Sequence, residues 1–343
     1  FHEEIDGEHY ALLMVVPPET GQVTTLPRET LFIIDSSGSM GGAPMRQAKA
    51  SLQLALQRLK PGDRFNITDF DSQHTLLFEQ PATVNDSSRQ QAQDFVDSLQ
   101  ASGGTHMLPA LSATLSQHTS DGYLRQVIFI TDGAVGNEHG IFRALHQQLG
   151  EARLFTVGIG SAPNSHFMTR AAQFGRGSFT YINDQNQVQQ GMDTLFRRLE
   201  SPLMRNLQVQ LPGGTVAEQW PQKLPDLYAG EPLLVAMKLS APTDQITVSG
   251  YSDKHWQQPV TLPTNSNHPG TASLWARRKI ADLMDRITLG APETDIAPQI
   301  TAVALRHQLV SRYTSFIAVE DTVSRPAHEP LLHDTVRSQA PHG

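Results

Sequence analysis

Chemistry-bearing residues concentrate in one stretch, Leu31-Phe32-Ile33-Ile34-Asp35-Ser36-Ser37-Gly38-Ser39-Met40. Four apolar residues run straight into an aspartate and a cluster of hydroxyls. Asp35, Ser37 and Ser39 place three oxygen side chains at alternate positions, and Gly38 lets the backbone turn between them. Oxygen-only donors suit a hard cation such as Mg²⁺ rather than zinc. Two further segments can join them. Thr105 follows the diglycine Gly103-Gly104, and Asp132 ends the apolar run Gln126-Val-Ile-Phe-Ile-Thr131.

These groups need elements that bring them together. An apolar run closed by turn residues reads as a buried strand. Ligands of open α/β sheets bind beyond the carboxyl ends of such strands, so Asp35 and Asp132 can meet at one edge. Around them, helices are expected at Pro44–Leu59, from Asn85 or Asp86 to about Gln100, Leu108–His118, about Ile141–Leu149, Ser165–Phe174 and Val188–Arg198. Strands are expected at Arg64–Phe70, Thr75–Phe78, Arg125–Thr131, Arg153–Ile159 and Ser178–Ile182. Strands alternating with helices predict a doubly wound, mostly parallel sheet covered on both faces.

The pattern changes at Pro202. Asn206–Leu211, Leu233–Leu239 and Gln245–Tyr251 alternate apolar with polar residues, which predicts a small antiparallel sandwich-like unit. Amphipathic helices at Thr271–Leu289 and Ile296–Leu309 and a last strand at Thr314–Val319 are expected to complete it. The predicted division is therefore a leading strand within 1–28 that pairs with the second unit, an α/β domain over 29–200, the β-unit with its helices and final strand over 203–320, and a loose tail over 321–343.

Composition narrows the function classes. The net charge of −8 argues against broad binding to nucleic acid or anionic membranes. Cysteine is absent, which excludes disulfides and thiolate metal sites. No apolar run approaches the ~18 residues of a membrane span. The chain begins at Phe1, and it is expected to be a piece of a longer precursor.

Asp35-x-Ser37-x-Ser39, then Gly103-Gly104-Thr105, then Thr131-Asp132-Gly133 resembles the metal-ion-dependent adhesion site of von Willebrand factor A domains. The resemblance implies a Rossmann-like fold and metal ligation by Asp35, Ser37, Ser39, Thr105 and Asp132. It implies Mg²⁺, or Mn²⁺ or Ca²⁺, with one coordination position open to a partner's Asp or Glu carboxylate. Trp275-Ala-Arg-Arg-Lys-Ile and Ser311-Arg-Tyr-Thr-Ser-Phe-Ile-Ala-Val further resemble the region after the A domain in inter-alpha-trypsin inhibitor heavy chains and their bacterial relatives. From this follow the expectations of an exported adhesion or protein-binding module, secreted or at a cell surface, that is not an enzyme.

Blander readings stand beside these. Asp35 and its serines could cap a helix, and Gly103-Gly104-Thr105 or Asp132-Gly133 alone could be plain turns. His106 and His139 read as solvated, since none of the 14 histidines shows zinc-type spacing. Glu138 reads as surface, Asp69 and Asp71 as structural hydrogen-bonders or holders of a secondary cation, and Trp275 with Arg277-Arg278-Lys279 as helix packing beside a basic face. A strand-ending Ile-Ile-Asp35 is also similar to Mg²⁺-dependent phosphohydrolases of the haloacid dehalogenase type. Those need a second aspartate two residues on, where this chain has Ser37. A structural module merely stabilised by its metal is the third alternative.

Overall fold

The structure is a computed structural model that describes residues 1–16, 27–119, 121–133, 136–200, 202–212, 218–228, 232–252, 254–263 and 267–317. The chain opens with a hairpin, β1 (His2–Ile5) and β2 (Glu8–Val15). It then alternates through β3 (Arg28–Asp35), α1 (Ala43–Arg58), β4 (Arg64–Phe70), β5 (His74–Leu76), β6 (Ala82–Thr83), α2 (Asp86–Ser98) and α3 (Met107–Leu115). β7 (Leu124–Thr131), α4 (Glu138–Gln148), β8 (Arg153–Ile159), α5 (Ser165–Phe174), β9 (Phe179–Ile182) and α6 (Val188–Glu200) continue it.

β3 is buried along its whole length because both of its faces are covered. Period-two alternation splits its run in two. Phe32 and Ile34 pack with Leu52 of α1, Val96 of α2 and Phe196 of α6. Leu31 and Ile33 pack with Leu111 of α3, Leu145 of α4 and Met168 of α5 on the other side. The sheet order is β5-β4-β3-β7-β8-β9, with β6 also on β4. Every pair from β4 to β9 is parallel, and β5 and β6 run antiparallel to β4. The chain leaves β3 toward β4 and later returns on its other side as β7. A crevice therefore opens at the carboxyl end of β3, between the two diverging connections.

Beyond residue 200 lie β10 (Pro202–Gln210), β11 (Glu218–Trp220), β12 (Leu227–Tyr228), β13 (Leu233–Leu239), β14 (Gln245–Tyr251), β15 (His255–Thr261), α7 (Thr271–Thr288) and α8 (Glu293–Arg306). Two four-stranded sheets, β1-β2-β13-β11 and β12-β10-β14-β15, form a sandwich. β2 pairs antiparallel with β13, from Val15↔Leu233 to His9↔Leu239, so the seven-stranded body is inserted between two strands of the sandwich. Leu13, Val235 and Met237 of one sheet meet Leu207, Val209, Ile246 and Val248 of the other. The opposite face of the first sheet carries Tyr10 and Ala236 under Trp275 and Ala276 of α7.

Two sequence expectations need correction. The final strand at Thr314–Val319 does not form over its described part. Ser311 and Thr314 close a tight turn instead, in which the Thr314 hydroxyl accepts the Ser311 N–H at 2.9 Å and donates to the Leu309 carbonyl at 3.0 Å. Phe316 and Ile317 are then 71% and 83% exposed, with no sheet to lie against. The edge strand expected at Thr75–Phe78 is β5, shifted to His74–Leu76. The expected tail at 321–343 lies outside the described residues. No helix among the described residues is long and apolar enough to cross a membrane.

Candidate metal centre

Strand register assembles the site. β3 pairs with β7 up to Ile34↔Ile130 and with β4 up to Asp35↔Phe70, so the three strands end at one level. Asp35 is fully buried there. One of its carboxylate oxygens accepts the Ser37 N–H at 2.9 Å, and the other accepts the Thr131 hydroxyl at 2.6 Å. Thr131 in turn accepts the Gly133 N–H at 2.9 Å, which ties the loop bearing Asp132 to the same hydroxyl. Burial pushes the Asp35 carboxyl above the usual aspartate range. The Ser37 and Thr131 hydrogen bonds oppose that shift, and the Asp132 charge adds to it. Asp132 directly follows Thr131 at the end of β7, the same edge at which β3 ends in Asp35.

The hydroxyls sit above this carboxylate. The Ser37 and Ser39 hydroxyl oxygens lie 3.0 Å apart, with Ser37 buried and Ser39 open to solvent. The diglycine loop is pressed against them. Gly38 N–H donates to the Gly103 carbonyl at 3.2 Å, and Ser102 N–H donates to the Ser36 carbonyl at 2.8 Å. Gly103 has a φ of +68°, and a Cβ there would come within 2.8 Å of the Ser72 hydroxyl and 3.0 Å of an Asp71 oxygen. Only glycine fits both the left-handed backbone and the close approach. Thr105, half-buried, is held between two pins. Gly104 N–H donates to the Ser72 hydroxyl, and His106 N–H to the Asp71 carbonyl, each at 2.7 Å.

Asp69 and Asp71 belong to this neighbourhood. The Asp71 carboxylate accepts the Ser102 hydroxyl at 3.2 Å and the Gln73 N–H at 2.8 Å. One Asp69 oxygen is buried with no hydrogen-bond partner. Burial raises the Asp69 pKa, and the charges of Asp71 and Asp35 raise it further against a hydrogen bond from Ser36. Asp35, Asp69 and Asp71 have no lysine or arginine partner among the described residues.

This donor set suits a hard divalent cation. It combines desolvated, un-neutralised carboxylates with neutral hydroxyls, all oxygen. Among the described residues no three His, Cys, Asp or Glu side chains form a group that could hold a metal by themselves.

The remaining candidates are placed outside the donor cluster. His106 is exposed. His139 is exposed, and its ring contacts the Thr288 carbonyl at the end of α7. Glu138 accepts the Asn164 amide at 3.0 Å. Trp275 is buried under the first sandwich sheet, with the Lys279 ammonium 4.9 Å from its ring centroid. What the motif reading missed is the support: Thr131 orienting Asp35, and Ser72 and Ser102 holding the diglycine loop. A hydroxyl closing the apolar run Val127–Ile130, as at Thr131, is the signal that could have pointed to the first of these.

Comparison with known proteins agrees with this geometry. The family profile of the von Willebrand factor type A domain matches residues 28–181. A von Willebrand factor A domain-containing protein of Dictyostelium discoideum is 28% identical over 326 residues, covering 90% of this chain and 38% of its own. An inter-alpha-trypsin inhibitor heavy chain of Homo sapiens is 24% identical, covering 90% of this chain and 37% of its own. The chain thus spans less than two fifths of the length of these relatives. Among solved structures, a von Willebrand factor type A protein from Catenulispora acidiphila superposes with a TM-score of 0.54 at 15% identity, covering 90% of this chain and 89% of that one. The ArnB paralog VWA2 from Sulfolobus acidocaldarius gives 0.56 at 18% identity, covering 88% and 86%. Register, switch point and family match converge on one statement: residues 28–181 are a von Willebrand factor type A domain.

Proposed function

We propose that this domain holds a divalent cation through Asp35, Ser37, Ser39, Thr105 and Asp132 and presents it to an acidic side chain of a partner protein. The observation that carries the reading is the buried Asp35 carboxylate, with Asp69 beside it, neither having a lysine or arginine partner among the described residues, next to the Ser37 and Ser39 hydroxyls. Five oxygen donors leave one of the six positions of an octahedral ion open. A visiting carboxylate then completes its shell at modest desolvation cost. Mg²⁺, which favours six oxygens near 2.1 Å, is the proposed ion, with Mn²⁺ or Ca²⁺ as alternatives.

The protein is read as a non-enzymatic adhesion or protein-binding module, exported and displayed at a cell surface or secreted. Its organisation is read as an A domain over 29–200, inserted into a sandwich made of the leading strand within 1–28 and the unit over 203–320.

The test is binding of fluorescent poly-L-glutamate by the full chain with and without Mg²⁺. Capture that needs Mg²⁺, reverses with EDTA and disappears in Asp35→Ala supports adhesion through the site. Capture indifferent to EDTA contradicts it. Uptake of Mg²⁺ without any capture favours the module in which the ion only stabilises the fold.

A further inference from the structure

A cavity of about 300 Å³ lies at the opposite edge of the seven-stranded sheet, where the amino ends of β7 and β8 meet strand β10 of the sandwich. Leu115 and Leu149 form part of its wall, and Tyr123, Gln148 and three arginines bring polar groups to it. Two of those arginines are spoken for. Arg125 pairs with Glu29, and Arg153 makes a two-pronged contact with Asp226, at 2.8 and 2.7 Å. The lining carboxylate Glu151 is held by Arg176 at 3.0 Å.

Arg205 is the charge left over. Its guanidinium makes one hydrogen bond among the described residues, a long one of 3.4 Å to the Ser252 carbonyl, although it has five N–H donors. Backbone geometry aims it at the seam. The β10–β14 register slips between Arg205 and Gln208, and Asn206 adopts a φ of +52°. A bulge of this kind re-aims the side chains at its centre. The Asn206 side chain turns to accept from Arg153 at 3.2 Å, which fixes the bulge to the α/β body. Burial lowers the Arg205 pKa and the Arg153 charge lowers it further, against Asp226.

We propose that this cavity binds a small oxyanion, a carboxylate- or phosphate-bearing molecule, which docks on the Arg205 guanidinium. A planar fork whose remaining N–H donors have no partner among the described residues, in a partly desolvated cleft, matches such a group bidentately. The volume, at the lower end for ligand pockets, restricts the ligand to a small molecule. The site is independent of the metal face and lies across the sheet from it.

The test is isothermal titration of the full-length, metal-free chain at constant ionic strength with inorganic phosphate and, separately, with succinate. At least one probe is expected to saturate in the millimolar range, the scale of a few charge-assisted hydrogen bonds. Saturation by phosphate alone assigns a phosphoryl ligand, and by succinate alone a carboxylate. Arg205→Ala should weaken binding tenfold or more. Arg205→Lys, which keeps the charge but loses the fork, should weaken it by a smaller factor, and Asp35→Ala should leave it unchanged. Thermal melts confirm that each variant is folded. The proposal is overturned if neither probe saturates, or if both Arg205 variants bind as the parent does.

Discussion

At the amino edge of the seven-stranded sheet, buried guanidiniums sit on carboxylates: Arg28 on Asp63, Arg125 on Glu29 and Arg153 on Asp226. At the carboxyl edge, among the described residues, Asp35, Asp69 and Asp71 find hydroxyls, amides and one another but no lysine or arginine. The same strands supply both edges, so the contrast is not one of burial or strand chemistry. Paired charge at one end fastens structure, here including the joint to the sandwich through Asp226. Un-neutralised charge at the other end is a standing cost that a cation relieves. The edge that is electrostatically unfinished is the one proposed to bind an ion.

The largest effect is expected where the pairing is complete. Arg153→Ala leaves Asp226 buried and uncompensated, and should cost about 3–5 kcal/mol in denaturant unfolding. A loss below about 1 kcal/mol, the scale of an exposed pair, would show that the amino edge is not sealed as described. Next comes the opposite edge. Mg²⁺ at a hundredfold excess over its dissociation constant should stabilise the metal-free protein by about 2.7 kcal/mol, reversibly with EDTA. An unchanged melting curve would erase the asymmetry between the edges.

Ser37→Ala probes a neutral donor. It should weaken Mg²⁺ about 10- to 100-fold, within the range that one supporting group is worth to a metal site, while the fold stays intact. Full retention of affinity would remove Ser37 from the ligand set. The smallest effect is one of pH. Burial raises the Asp69 pKa in the folded state, so as pH rises the unfolded chain sheds this proton first. The metal-free protein therefore loses stability from the ordinary aspartate pKa of about 3.9 up through the raised folded value. Asp69→Asn should make it more stable at pH 7 and no more stable near pH 3. Equal stability of the two proteins at both values would mean that Asp69 carries no such penalty.

How far these edges were legible in the sequence depends on how local their causes are. β3 announces itself because its covered stretch Leu31–Ile34 is a continuous apolar run, and Leu233–Leu239 because one face alternates. β1 and β15 were not foreseen. β1 has four residues, and β15 is an edge strand with Gln257, Gln258 and Pro259 in it, whose polarity reflects an exposed edge. Ser315-Phe316-Ile317 misled in the other direction, since β-type residues without a neighbouring strand among the described residues do not make one. In the site, the spacing of Asp35, Ser37 and Ser39 is local and readable. The Thr131–Asp35 hydrogen bond spans 96 residues and exists only through the register of β3 with β7. Likewise the pairing of Arg153 with Asp226 spans 73 residues and joins two bodies that the periodicity shows as separate.

The most direct measurement is calorimetric titration of the full chain with Mg²⁺ at neutral pH, beside Asp35→Ala. One ion per chain, taken up by the parent and lost in the variant while both melt as folded proteins, is the expected result. No heat of uptake in the parent, or equal uptake in both proteins, would contradict a cation held at the carboxyl edge.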